Sequence, residues 1–175
     1  MNERKIKLIA SIGLLIGGIL GMAGSFVPSA LVRGIFWGVD GVALVISSSI
    51  LTIYYFRKGY DLAASGFLVF AIGEALILSA LKLGENVTTF GAGTALWAAS
   101  LALISSQKLF PIFVRVTGII ASVLFVVVSV LIIMGEPIDA LTKPLPYFAY
   151  PFFAFTTFGW AWKLMKKPSS KSIEP

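Results

Sequence analysis

Cysteine and histidine are both missing from the 175 residues. Their absence excludes disulfides, thiolate nucleophiles, imidazole bases, haem ligation and the zinc sites built on these side chains. No metal site, no cofactor and no catalytic residue is therefore expected. Charge is scarce as well: Asp, Glu, Lys and Arg make up 13% of the chain against 58% hydrophobic residues, and the mean hydropathy is +0.94. A soluble domain of this size cannot cover its surface with so few polar side chains. The 14 Lys and Arg outnumber the 8 Asp and Glu, which in a soluble protein would raise the question of nucleic acid. Here the basic residues fall at the ends of apolar runs, and no nucleic-acid partner is expected.

What fills the chain is a series of uncharged runs of the ~17–25 residues needed to cross a ~30 Å hydrocarbon core. They lie at about 8–27, 35–56, 62–81, 88–106, 112–134 and 145–164, with short connections that leave no room for a soluble domain. The expected architecture is an all-α integral membrane protein of about six transmembrane helices. It forms a single domain over 1–167, followed by a short polar tail at 168–175. With the N-terminus inside, eleven basic residues (Arg4, Lys5, Lys7, Arg57, Lys58, Lys108, Arg115, Lys163, Lys166, Lys167 and Lys171) lie on the inner side and three (Arg33, Lys82 and Lys143) on the outer. That asymmetry predicts cytoplasmic termini at both ends, in an inner or plasma membrane whose bilayer is the first partner. Arg4, Lys5 and Lys7 followed by an apolar stretch also imitate a secretory signal. The uncharged run continues to Val32, which fits a retained anchor better. Asn86-Val87-Thr88 matches the glycosylation sequon at the lip of a span and is read as a chance match.

Small residues recur at three- and four-residue spacing. Gly13, Gly17 and Gly21, with Ala10 and Gly24, form one stripe on the first span, the pattern that lets a second helix backbone approach closely. Ala95, Ala98, Ala99, Ala102 and Ser106 repeat it on the fourth span, and Gly34, Gly38 and Gly41 open the second. These are read as intramolecular packing faces ahead of an oligomer interface or a substrate groove. The sixth span is crowded with aromatics on every face. Tyr147 and Tyr150 at one end, and Trp160 and Trp162 at the other, suit interfacial belts. Pro151 is placed in the first helical turn, where its missing donor is tolerated.

Two acids are embedded in these runs. Glu74 sits deep inside the run between Asp61 and Lys82, and Asp40 lies six residues beyond Gly34. At 1.5 Å per residue these positions are ~12 Å and ~9 Å from the same membrane surface, so both carboxyls fall at similar depth on consecutive antiparallel spans. Spacing does not say whether they face each other. Asp40 is near enough to the interface to reach water or Arg33, with Trp37 on the same face. It also shares a stripe with Ser47 and Tyr54. Glu74 has only Phe70, Ala71, Ile77 and Leu78 as helical neighbours, and an intramembrane ionisable group is costly enough to mark a functional candidate. The bland alternative is a protonated Glu74 hydrogen-bonded to Ser47, Thr94 or Ser100, worth ~0.6 to 2 kcal/mol.

Two function classes follow. One is a small-solute or ion transporter, or a membrane binding protein, in which Glu74 and Asp40 bind the unknown small ligand or a proton and Trp37, Trp97 and Tyr150 form the wall. The other is a non-catalytic structural or assembly subunit of a membrane complex, with a homo-oligomer or a membrane protein as partner. An enzyme is not expected. Asp40 is the only embedded aspartate, so an aspartyl dyad is missing, and the serine and zinc intramembrane chemistries need a histidine.

Overall fold

The computed structural model describes residues 2–82 and 87–166, and every regular element among them is helical. The elements are α1 (Glu3–Gly24), α2 (Ala30–Arg57), α3 (Asp61–Lys82), α4 (Val87–Ser106), α5 (Ile112–Ile133), a 3₁₀ turn (Tyr147–Ala149) and α6 (Tyr150–Met165). The helices α1 to α5 are long and apolar enough to cross a membrane. Their outward faces are apolar too, with Ile46, Leu68, Ile72, Val123 and Val126 all exposed, as expected of a membrane protein. The sequon at Asn86 and the tail at 168–175 lie outside the described residues.

Local chemistry sets the helix ends. Asn2 and Ser29 cap α1 and α2, their side chains accepting from the Arg4 and Val32 amides. Gly59 and Gly135 follow α2 and α5 with φ of 73° and 95°, where a side chain would be strained. The Tyr60 and Glu136 amides then bond back to the Tyr55 and Leu131 carbonyls at 3.0 Å each. These bonds satisfy carbonyls that the helix end would otherwise leave open.

Each helix packs antiparallel on the next, and α1 closes on α6, so the six form a ring. Both ends of the described chain lie at one end of it, called here the terminal end. The α1–α2 and α5–α6 connections lie at the other, the distal end. Toward the terminal end the interior is filled with rings. Tyr55 stacks on Phe67 at 5.5 Å, and Trp160, fully buried, meets Phe67 edge-on at 5.1 Å. Glu3 at that end bonds the Lys7 and Lys58 ammonium groups and the Tyr54 hydroxyl. The carboxylate beside it raises the Lys58 ammonium above its usual range.

Two devices tie the helices together. Hydroxyls bond across neighbours: Ser122 to the Ala98 carbonyl at 2.7 Å, Thr94 with Ser129 at 3.0 Å, Thr156 to Thr117 at 3.0 Å and Ser11 to the Ala161 carbonyl at 3.3 Å. In an apolar medium each such bond contributes ~0.6 kcal/mol. Glycines admit close crossings, among them that of α3 and α4. There a Cβ on Gly93 would sit 3.1 Å from the Gly73 carbonyl oxygen, and one on Gly73 3.2 Å from that of Gly93.

The structure corrects four expectations. The sixth helix begins at Tyr150 rather than near 145 and has 16 residues. At 1.5 Å per residue it is ~24 Å long, and the 3₁₀ turn ahead of it adds ~6 Å. Trp160 and Tyr150 point inward, so only Tyr147 and Trp162 keep belt-like positions, each with a lysine over its ring. Of the stripe expected on α4, Ala95, Ala99 and Ser106 are exposed, while Gly91, Gly93, Thr94 and Ala98 are buried against neighbours. Among the described residues Gly34 and Gly38 meet nothing within 4 Å, and on α2 it is Gly41 that admits a neighbour, Leu78. Pro151 does fall in the first turn of α6.

Substituting Gly93 by Val is expected to destabilise the protein by about 1–3 kcal/mol through overpacking against a backbone that cannot yield. The same change at Gly34 should have little effect. Thermal unfolding of the two variants in detergent checks this; equal melting temperatures would remove the α3–α4 crossing as a stability determinant.

Candidate functional site

The glycine stripe of α1 faces α2 inside the molecule. Gly13 lies against Ser47, Gly17 against Leu44, Gly21 against Asp40 and Gly24 against Trp37. The descending partner numbers are those of an antiparallel pair, and they place the Trp37, Asp40, Ser47 and Tyr54 stripe of α2 toward α1. A Cβ on Gly21 would lie 2.6 Å from Asp40 Oδ2, and one on Gly17 3.2 Å from Oδ1. The carboxyl therefore occupies space that only glycine leaves free. The Trp37 indole donates to the Gly21 carbonyl at 3.1 Å and covers this arrangement on the distal side.

A cavity of about 40 Å³ opens beside Asp40, in the distal half of the ring. Asp40, Glu74, Trp37, Trp97 and Tyr150 all line it, as do Gly17 and Gly21. Asp40 on α2 and Glu74 on α3 are close enough to interact electrostatically. Glu74 is 2% exposed and Asp40 9%. Asp40 Oδ1, Glu74 Oε2 and Trp97 Nε1 have no hydrogen-bond partner among the described residues. The Trp97 indole lies near the Glu74 carboxyl without the geometry of a hydrogen bond. Tyr150 donates its hydroxyl to the Ala140 carbonyl at 2.9 Å, and this fastens the α5–α6 connection over the distal side of the cavity. Asp139 stabilises that connection by accepting from the Leu141 amide and the Thr142 hydroxyl at 2.8 and 2.9 Å.

The local pairing expected for the two acids is not found. Arg33 turns to the Val27 carbonyl at 3.4 Å and lies over the Trp37 ring instead of approaching Asp40. The Ser47 hydroxyl bonds the Ala43 carbonyl, Thr94 bonds Gly91 and Ser129, and Ser100 bonds the Trp97 carbonyl. None of these bonds joins the hydroxyls to Glu74, because each is taken up by a backbone carbonyl one turn earlier on its own helix.

Several wall residues had no sequence signal. Phe90 and Phe153 are two among many aromatics, and Ala140 belongs to a connection that reads as an ordinary loop. Larger open grooves of about 530 and 310 Å³ occur at the terminal end. Their acid, Glu3, is already paired with Lys7 and Lys58. The small cavity is the chemically informative one, because its polar atoms are unmatched and a buried polar group without a partner costs free energy.

Tyr150→Phe should cost about 1 kcal/mol, the net contribution of one hydrogen bond. It should also speed amide exchange over residues 138–142. Unchanged exchange there would mean that the phenol does not hold the connection in place. No protein-family model matches the sequence, and no curated protein or solved structure matches it.

Proposed function

We propose that the protein is a six-span membrane protein of the cell (inner or plasma) membrane, with both termini cytoplasmic. On this reading it is a small-solute or ion transporter, or a membrane binding protein, that uses Asp40 and Glu74. The observation that carries the proposal is the convergence of two buried, unmatched carboxyls from different helices on one cavity with an aromatic wall. Intramembrane acids are expensive and tend to mark ion or substrate pathways. Polar groups converging in an otherwise apolar cavity have the form of a small-ligand site. The α1 glycines support the same reading, since they give room to a carboxyl that a larger side chain would displace. The proposal includes no catalytic step.

The assembly-subunit reading draws less support, because the stripe of Gly13, Gly17 and Gly21 that would have met a partner is occupied by α2. Cytoplasmic termini rest on the distribution of basic residues. The absence of cysteine makes that orientation easy to test. A single cysteine at exposed Glu136 should react with an impermeant maleimide on whole cells, and one at Lys108 should react only after lysis. The opposite pattern would reverse the orientation.

The functional test uses protein reconstituted in vesicles with a panel of monovalent cations, small amines and imposed pH gradients. Flux in the wild type should fall at least about tenfold in Glu74→Gln, equivalent to about 1.4 kcal/mol or more. Asp40→Asn should also lower it, and both variants should keep their helical content. Equal flux in wild type and Glu74→Gln across the panel would overturn transport through this site.

A further inference from the structure

The unmatched polar atoms of the cavity are not all of one kind. Asp40 Oδ1 and Glu74 Oε2 accept hydrogen bonds, whereas Trp97 Nε1 donates, and all three are buried. Two carboxylates facing one cavity away from water repel each other, and the usual resolution is a proton held between them. The charged and titratable surroundings are sparse. From α1 the pair meets glycines and Ser25, from α2 Trp37, and from α4 Trp97 and Phe90. From α6 it meets Tyr150, which has Asp139 of the α5–α6 connection beside it. No Lys or Arg is among the described lining residues.

A metal ion or an organic cation would also neutralise the pair, but the cavity suits neither. Its volume of about 40 Å³ is room for roughly three waters at ~10–15 Å³ each. An ammonium group carrying alkyl substituents does not fit in that space. A dehydrated inorganic cation needs a shell of oxygens, and beyond the two carboxyls the wall is mostly glycine, aromatic and alkyl. Trp97 lines the cavity with its N–H near the Glu74 carboxyl, and an indole N–H offers a cation no acceptor but can donate to water or to a carboxylate.

We propose that the cavity holds one proton, shared by Asp40 and Glu74 through water anchored on the Trp97 N–H, so that the ion this site handles is the proton. The inference rests on the reading of this cavity as the functional site and narrows its ligand to one class. Binding forms one O–H bond on one carboxyl and leaves the other as the accepting carboxylate. The pair then carries a single negative charge, and a water that accepts from the carboxyl O–H and the Trp97 N–H and donates to the remaining carboxylate has the partners it needs.

Infrared difference spectroscopy of the whole protein in lipid nanodiscs, across pH and in both H₂O and D₂O, tests this. The wild type should show one protonated carboxyl band per chain that disappears as pH rises and is the same in sodium, potassium and choline chloride. Asp40→Asn should leave a Glu74 band whose midpoint is displaced by about one pH unit or more, the mark of a coupled pair. Trp97→Phe, which retains both acids, should shift the band frequency, and it keeps the test open if an acid variant does not fold. A Glu74 band indifferent to Asp40→Asn would overturn sharing. A band that moves with sodium or potassium would overturn the proton assignment while leaving ion transport standing. Coupled titration in a protein without vesicle flux would support the proton site and refute transport.

Discussion

Asp40 is buried at the α1–α2 contact only because α1 carries glycine where the carboxyl enters. A Cβ at Gly21 would stand 2.6 Å from its oxygen, so one methyl group at that position is incompatible with the observed side chain. Much else at the distal end depends on this contact. With α1 close to α2, Trp37 reaches the Gly21 carbonyl, and Asp40 is directed toward the ring interior and Glu74. Close packing of the helices is ordinarily a matter of van der Waals contact, since lipid removes the hydrophobic drive between them. In this protein the same glycines also determine where charge can be placed.

The fold was largely legible in the sequence, because length and hydropathy read directly onto membrane helices. The first five predicted runs overlie α1 to α5, and short loops left each helix antiparallel to its neighbour. The sixth was misjudged at its start. Leu145, Pro146, Tyr147 and Phe148 are as apolar as helix residues, but the prolines lack the amide that a helix interior requires, and regular α-helix waits for Tyr150. The interior position of Trp160 was illegible for another reason. An aromatic near a helix end suits either an interface or a core, and only the ring closure of α6 with Phe67 and Phe70 on α3 decides between them.

At the candidate site, depth was legible and direction was not. Counting rises from the span ends put Asp40 and Glu74 at one level, but the rotation of α2 and α3 about their axes depends on packing. That rotation is fixed by Gly41 against Leu78, by Tyr55 against Phe67 and by the glycines of α1, all of them contacts between residues distant in sequence. The failure of Ser47, Thr94 and Ser100 to serve Glu74 has a local cause. A serine or threonine in a helix can satisfy its donor on a carbonyl of the preceding turn, and all three do so. Sequence supplied polar residues at the right depth but could not say that their donors were already committed.

The division of the ring into halves bears on access. Toward the terminal end, Tyr55, Phe67, Phe110 and Trp160 fill the interior with contacts of 5.1 to 6.5 Å between ring centroids. Close packing of that kind leaves no path for an ion or water without movement of several rings together. On the distal side the described residues that cover the cavity include the Trp37 indole and the α5–α6 connection, which the Tyr150–Ala140 hydrogen bond ties to α6. Breaking such bonds costs far less than unpacking an aromatic core, so among the described residues the easier opening is distal. If the basic residues have placed the termini in the cytoplasm, the carboxyl pair exchanges first with the outside. If the protein transports as proposed, passage to the inside then requires the aromatic half to rearrange, which makes that half the slower barrier of the two.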